Sequence, residues 1–258
     1  MKKYLLLATV RDRIDMVEVV ISSINKFLHG WTLVIVVQEY SKEEVERVGK
    51  MIECPYHIIP LQKRIGAHSA KIEGIKKIVE LSGRFIVCSI DDDMEFIEQT
   101  NLEGAITLFA KRSTGFVSAG WVNHETRIPN RITKNVFVLQ KIVYTGGGML
   151  FSNNIAELLL TVPNLDYFSD NTVWSLQAYI SGYSNYRYLG SIAIHRVCKT
   201  GGRREWMHSS EKVLPDERFI KITRGNERFK IKNNYLIGTD SGVTELAKQS
   251  HQLNKINE

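Results

Sequence analysis

Three consecutive carboxylates, Asp91-Asp92-Asp93, directly follow the apolar run Phe85 to Ile90. Adjacent like charges repel, so such a triplet is disfavoured unless a cation or solvent relieves it. In an extended turn, alternate side chains point the same way, so Asp91 and Asp93 can both approach one hard divalent cation. Mg²⁺ and Mn²⁺ take oxygen ligands, and Mg²⁺ commonly sits on one or two carboxylates plus substrate phosphates. The competing use of such a triplet is an acidic loop that caps the next helix through its dipole. The strand-like run before it favours the metal.

The elements that would position the triplet alternate in type. Tyr4 to Val10 is an apolar run of strand length. Asp15, with Glu18 three residues on, reads as the N-cap of a helix whose apolar face is Ile14, Val17, Ile21, Ile24 and Leu28. Leu33 to Val37 is a buried strand, and Ser41 with Glu44 forms a capping box ahead of Val45, Val48 and Ile52. His57 to Pro60 is a short edge strand. Ser69 caps a third helix carrying Ile72, Ile75 and Val79, and Phe85 to Ile90 is the next strand. This alternation predicts an α/β fold, a Rossmann-like, mostly parallel central sheet flanked by helices. Ligands then belong at the carboxyl edge of the strands. Val10-Arg11-Asp12-Arg13, Gln38-Glu39 and the acidic triplet share that edge. Thr9, Arg11, Arg13, Glu39 and Asp92 are therefore candidate substrate contacts.

After Asp93 the pattern changes to a smaller mixed half. Leu102 to Phe109 reads as helical, and Gly115 to Trp121 and Val136 to Val143 read as strands in a hairpin-like excursion. Asp170 begins a helix with Val173, Leu176 and Ile180 on one face, and Ile192 to Val197 is another apolar run. The chain of 258 residues is 43% apolar and 24% charged, which excludes a mostly disordered chain. No apolar stretch approaches the roughly 18 residues of a membrane helix, so no membrane partner is expected. The start, Met1-Lys2-Lys3 and then Tyr4 to Val10, reads as a first strand, not a targeting segment. Cys54, Cys88 and Cys198 are odd in number and far apart, which predicts no disulfide framework and a cytoplasmic location.

The net charge is +6, and its location is informative. Residues 1–186 hold 20 basic and 20 acidic side chains, whereas residues 187–258 hold 14 basic and 8 acidic ones. A one-sided basic segment suits a polyanionic partner or a phosphate-bearing ligand, or is simply a solvated surface.

The motifs in order resemble the GT-A fold of sugar-nucleotide-dependent glycosyltransferases, in particular the family 2-like members. That family carries an Asp-x-Asp motif at this strand end, here within Asp91 to Asp93. Upstream it often has Gly-x-x-x-Ala-Arg-Asn-x-Gly. Here Gly66-Ala67-His68-Ser69-Ala70-Lys71-Ile72-Glu73-Gly74 keeps the glycines and the alanine, with Lys71 in place of Arg. Downstream it has a Gly-Gly segment entering an apolar strand, matched by Gly146-Gly147-Gly148-Met149-Leu150. An acidic pair follows whose second member resembles a catalytic base, and Ser169-Asp170 keeps that second member. Asp166 is a reserve candidate. The resemblance spans roughly Tyr4 to Ile180. Where many members have Asp-Asp-Gly-Ser beside the nucleoside base, this chain has Gln38-Glu39-Tyr40-Ser41, with Glu39 as the substitute. The Gln-x-x-Arg-Trp motif of processive polysaccharide synthases is absent, which argues against that class.

The resemblance implies one GT-A domain over 1–258: a nucleotide-binding half at 1–95, an acceptor-side half at 96–195 and a basic appendage at 196–258. It implies a nucleotide-diphosphate sugar as donor, a UDP-sugar first, with Mn²⁺ or Mg²⁺ held by Asp91 and Asp93. In several GT-A enzymes a late histidine completes the metal shell, and His195 is the candidate here. Lys71, Gly147 and Gly148 become donor-side contacts. Arg203 and Arg204, after Gly201-Gly202, form a cationic lid suited to the diphosphate. In an inverting transfer Asp170 takes the acceptor hydroxyl's proton; its alternative use is a plain N-cap. Trp121 and Trp206 can stack on sugar or base, whereas Trp174 lies beside a core face. A basic C-terminal part admits DNA as acceptor, as in phage-type enzymes that glycosylate hydroxymethylated pyrimidines. A cell-surface saccharide or its lipid-linked precursor is the other acceptor class. A nucleotidyltransferase would also use Asp-bound metal, but it wants a Gly-rich loop after the first strand, and Val10 to Arg13 contains no glycine. A non-catalytic nucleic-acid-binding protein would explain the basic segment but not the acidic triplet.

Overall fold

Strand β1 (Lys2–Val10) lies between β2 (Thr32–Gln38) and β4 (Phe85–Ile90), parallel to both. Strand β3 (Tyr56–Leu61) closes that edge, parallel to β2. A computed structural model describes residues 1–81, 83–110, 112–122, 139–142, 148–162, 170–196, 229–232 and 235–238. The remaining elements are β5 (Met94–Phe96), β6 (Thr114–Val122), β7 (Leu139–Ile142), β8 (Met149–Ser152) and β9 (Ser184–His195). The main sheet runs β3-β2-β1-β4-β8-β6-β9-β5, and β7 pairs with β9 off that path. Strands β8 and β5 run against their neighbours, so the sheet is parallel at its centre and mixed beyond β4.

Both faces of the parallel part are covered, which is why its strands read as continuous apolar runs. Leu5, Leu7, Leu33, Ile35 and Val37 face helices α1 (Ile14–Phe27) and α2 (Lys42–Met51). Tyr4, Leu6, Val34 and Val87 face α3 (Ala67–Leu81), α5 (Asn153–Leu159) and α6 (Asp170–Ile180). Helix α4 (Leu102–Ile106) continues as a 3₁₀ turn at Thr107–Ala110. Among the described residues no helix is long and apolar enough to cross a membrane.

Local chemistry sets the helix starts. At α2 the capping box is complete: Glu44 N–H donates to Ser41 Oγ at 3.2 Å, and Ser41 N–H donates to Glu44 Oε2 at 2.6 Å. Asp15 does not cap α1. A 3₁₀ turn at Arg11–Arg13 leads into Ile14, so Asp15 falls inside the first turn, where its charge suits the helix dipole. Ser69 likewise sits inside α3, which starts at Ala67 behind Gly66. Gly66 has φ +87°, which explains why a glycine precedes this helix. Gly74 serves a different need: a Cβ there would lie 2.2 Å from Leu6 Cδ1 and 3.3 Å from Val36 Cγ2. Gly74→Ala is therefore expected to lose about 1–2 kcal/mol of stability despite alanine's better helix propensity. Urea unfolding of the two proteins measures this.

The strands read as an excursion, β6 and β7, do not pair with each other; β6 runs parallel to β9 and β7 antiparallel to it. A small hairpin of β10 (Phe229–Lys232) and β11 (Tyr235–Gly238) lies in the basic C-terminal part, where no strand was expected.

Candidate active site

Strand β4 ends at Ile90, opposite Leu7 of β1, so the triplet continues beside the last residues of β1 at the carboxyl edge. The chain then turns: Met94 N–H donates to Asp91 O at 3.1 Å and β5 begins. Phe96 N–H donates to the buried Ser23 Oγ of α1, which ties β5 to the fold. Strand β5 pairs antiparallel with the end of β9, Met94 opposite His195, and Arg196 N–H donates to Asp93 O at 2.7 Å. This register brings His195 beside Asp93 despite their distance in sequence.

Each carboxylate of the triplet has a different partner. Asp91 Oδ1 lies 2.9 Å from Lys71 Nζ, whose side chain is 3% exposed on α3. Asp92 is buried; its Oδ2 accepts from Thr9 Oγ1 at 3.0 Å and its Oδ1 lies 3.1 Å from Arg13 Nη2. Asp93 Oδ2 accepts from the same Arg13 nitrogen at 2.8 Å, and its Oδ1 lies 3.3 Å from His195 Nε2. The mutual repulsion is thus relieved by two internal cations. Burial pushes the Asp92 carboxyl up to about 7, against the pull of Arg13. Burial also pushes Asp93 upward, but His195 and Arg13 outweigh it and hold the carboxyl below its ordinary value. Contact with Asp93 raises His195 above the ordinary histidine value, outweighing its burial.

Lys71→Met would strand Asp91 without its counter-charge. Since Asp91 is about a third exposed, the expected loss is about 2 kcal/mol, below the roughly 3–5 of a fully buried pair. Comparing urea midpoints of the wild type, Lys71→Met and Lys71→Arg measures it, with the arginine variant expected to retain more stability.

The other sequence-named residues divide by place. Arg11 is turned outward to Glu44 Oε1 of α2, 2.9 Å away. Glu39, at the end of β2, has φ +66°, an uncommon conformation for a residue with a Cβ, and pairs with Arg64 Nη2 at 2.8 Å. Gly148 is buried with φ +70°, immediately before β8. Asp170 is the first residue of α6. That helix packs through Trp174, whose ring stands edge-on to the buried His68 of α3 at 5.6 Å. Gly147, Asp166, Arg203, Arg204 and Trp206 lie outside the described residues.

Arg64 and His68 have no counterpart in the sequence reading, which placed Gln38 at this edge without giving it a partner. Arg64 bridges Glu39 and Asp12, the latter at 2.7 Å. Gln38 is buried, donating Nε2 to Thr9 O at 3.2 Å and accepting at Oε1 from Ile65 N–H at 2.8 Å. It braces β1 against the loop before α3. His68 links α3 to α6. Only Gln38 left a signal, as a polar residue ending an apolar strand.

Among the described residues, no three His, Cys, Asp or Glu side chains already converge on one point. The donors nevertheless fit a divalent cation. Asp93 Oδ1 is buried with no hydrogen bond of good geometry, and it faces an imidazole nitrogen. Carboxylate oxygen with imidazole nitrogen suits Mn²⁺, and substrate phosphates can supply the rest of the shell. Asp91 sits at the same edge but is drawn to Lys71.

Strand order, helices on both faces and an acidic turn after the fourth strand make this a GT-A-type fold. No family model and no curated protein sequence matches the chain. Solved structures do. The mannosyltransferase PcManGT from Pyrobaculum calidifontis, in complex with GDP-Man and Mn²⁺, is 16% identical with a TM-score of 0.59, over 78% of this chain and 58% of that one. TarS 1-349 from S. aureus, in complex with UDP-GlcNAc, is 12% identical with a TM-score of 0.58, over 77% of this chain and 59% of that one. GalNAc-T7 with UDP, GalNAc and Mn²⁺ is 13% identical with a TM-score of 0.63, over 85% and 48%. The chain thus spans less than two thirds of each of these proteins, and the likeness is one of fold.

Proposed function

We propose that this chain is a divalent-metal-dependent glycosyltransferase that moves a sugar from a nucleoside-diphosphate sugar to an acceptor hydroxyl. The observation that carries the reading is the Asp93–His195 pair at the carboxyl edge of a GT-A sheet. The bound nucleotides and Mn²⁺ named for the similar structures support it.

In this reading Asp93 and His195 hold the cation, with Asp91 beside them on Lys71. The cation, when bound, stabilises negative charge on the departing diphosphate as a Lewis acid. Thr9 and Arg13 keep Asp92 and Asp93 oriented. Glu39, paired with Arg64, and Arg11, on the turn after β1, lie on the side of the edge where the nucleoside would rest, a uridine first by the family resemblance. Gly147 and Gly148 let backbone approach the donor sugar, and Arg203 and Arg204 close on the diphosphate. In an inverting transfer Asp170 accepts the acceptor hydroxyl's proton. The excess positive charge of residues 187–258 suits a polyanionic acceptor, and DNA carrying hydroxymethylated pyrimidines is the acceptor to try first. A cytoplasmic location follows from the cysteine usage in this reading.

The test is release of nucleoside diphosphate from a panel of UDP- and GDP-sugars, with Mn²⁺ or EDTA and with or without hydroxymethylated DNA. Release that needs Mn²⁺ is expected. No release from any donor, with pyrophosphate freed from a nucleoside triphosphate instead, would replace this reading with nucleotidyl transfer.

A further inference from the structure

We infer that Arg13 is the acidic triplet's own counter-cation, a positioning residue that hinders divalent metal from binding until a diphosphate arrives. This rests on the glycosyltransferase reading. Arg13 ends the single 3₁₀ turn between β1 and α1, and its side chain is only 10% exposed. One guanidinium nitrogen spans two carboxylates, 3.1 Å from Asp92 Oδ1 and 2.8 Å from Asp93 Oδ2. Its neighbour Arg11, on the same turn, points away to Glu44, so the turn itself does not force an arginine onto the triplet.

The formal charges show what this placement does. Asp91, Asp92 and Asp93 carry three negative charges, and Lys71 and Arg13 return two positive ones. A divalent cation entering at Asp93 would therefore find at most one net negative charge and a guanidinium already seated on its ligand. Repulsion between a double and a single positive charge a few ångströms apart weakens binding by about tenfold or more, even with the screening of bulk water. A diphosphate reverses the sign of this effect. It brings negative charge that cation and guanidinium can share, and guanidinium geometry suits phosphate oxygens. Metal and diphosphate then load together, and by linkage each raises the other's affinity by the same factor. The arrangement also holds the carboxylates of Asp92 and Asp93 in place while no metal is bound.

The test is Mn²⁺ binding followed by the electron-spin signal of free Mn²⁺, with protein alone and then with UDP or GDP. The wild type should bind Mn²⁺ weakly alone and at least about tenfold more tightly with a nucleotide. Arg13→Gln should bind Mn²⁺ alone about tenfold more tightly than the wild type and gain less from the nucleotide. Arg13→Lys, which keeps the charge, should stay weak for Mn²⁺ alone. A merely structural role would instead weaken Mn²⁺ binding in both states. If folded Arg13→Gln binds Mn²⁺ alone no more tightly than the wild type, the inference is wrong. Should that variant not fold, the wild type still decides. Equal Mn²⁺ affinity with and without a nucleotide that itself binds overturns the inference and leaves the transferase reading standing. Failure of every nucleotide to bind overturns that reading, and the inference with it.

Discussion

Asp93→Asn should lower sugar transfer by roughly 10³-fold and remove the Mn²⁺ dependence of nucleotide binding. Asp93 Oδ1 is buried without a hydrogen bond of good geometry and faces His195 Nε2 at 3.3 Å. Asparagine keeps the shape and can still accept from Arg13, but it has no negative charge to offer a cation. Several kcal/mol of charge stabilisation at the departing diphosphate would go with the metal, and each 1.36 kcal/mol is a factor of ten in rate. Arg13 still has Asp92, so the fold should survive with little loss of melting temperature. Comparing Mn²⁺-dependent turnover and the unliganded melting curve of the two proteins separates loss of the site from loss of the fold. A variant that transfers sugar at wild-type rate would remove Asp93 from the metal.

Asp170→Asn is expected to act on a different step. As the first residue of α6, Asp170 stands at the end of a helix anchored by Trp174 against His68. If it takes the acceptor's proton, its loss should cut the chemical step by roughly 10²–10⁴-fold while donor affinity changes little. Donor binding by calorimetry and single-turnover transfer, measured on one preparation, give the two numbers. Equal losses in binding and turnover would assign Asp170 to the donor site. A loss of stability alone would make it a helix cap.

The first ninety residues were readable because each element carries its own signal. Strands β1, β2 and β4 are buried on both faces and so spell continuous apolar runs, and Ser41 with Glu44 marks the start of α2 through bonds made within four residues. The carboxyl edge follows from that alternation, which places the triplet near Arg13 and Glu39 without any coordinates. What sequence could not supply is pairing across the chain. That Arg13 spans Asp92 and Asp93, while Arg11 turns to Glu44, depends on one 3₁₀ turn that also displaced Asp15 from the cap position. The family resemblance grouped His195 with Asp91 and Asp93, but the contact itself depends on β5, three residues long and too short to show a period, and on its register with β9. Arg64 looked like any loop arginine, since its two carboxylate partners come from separate elements. Gly66 and Gly74 were legible as a spaced pair, but only the structure separates their reasons, a left-handed backbone for one and contact with Leu6 for the other.

Titration calorimetry of UDP and GDP into the full chain, with Mn²⁺ and then with EDTA, tests the central claim most directly. At least one of these nucleotides should bind with Mn²⁺, and this binding should weaken sharply in EDTA. Absence of binding by either nucleotide, or equal affinity with and without the cation, would contradict a metal-dependent nucleotide-sugar site at Asp93 and His195.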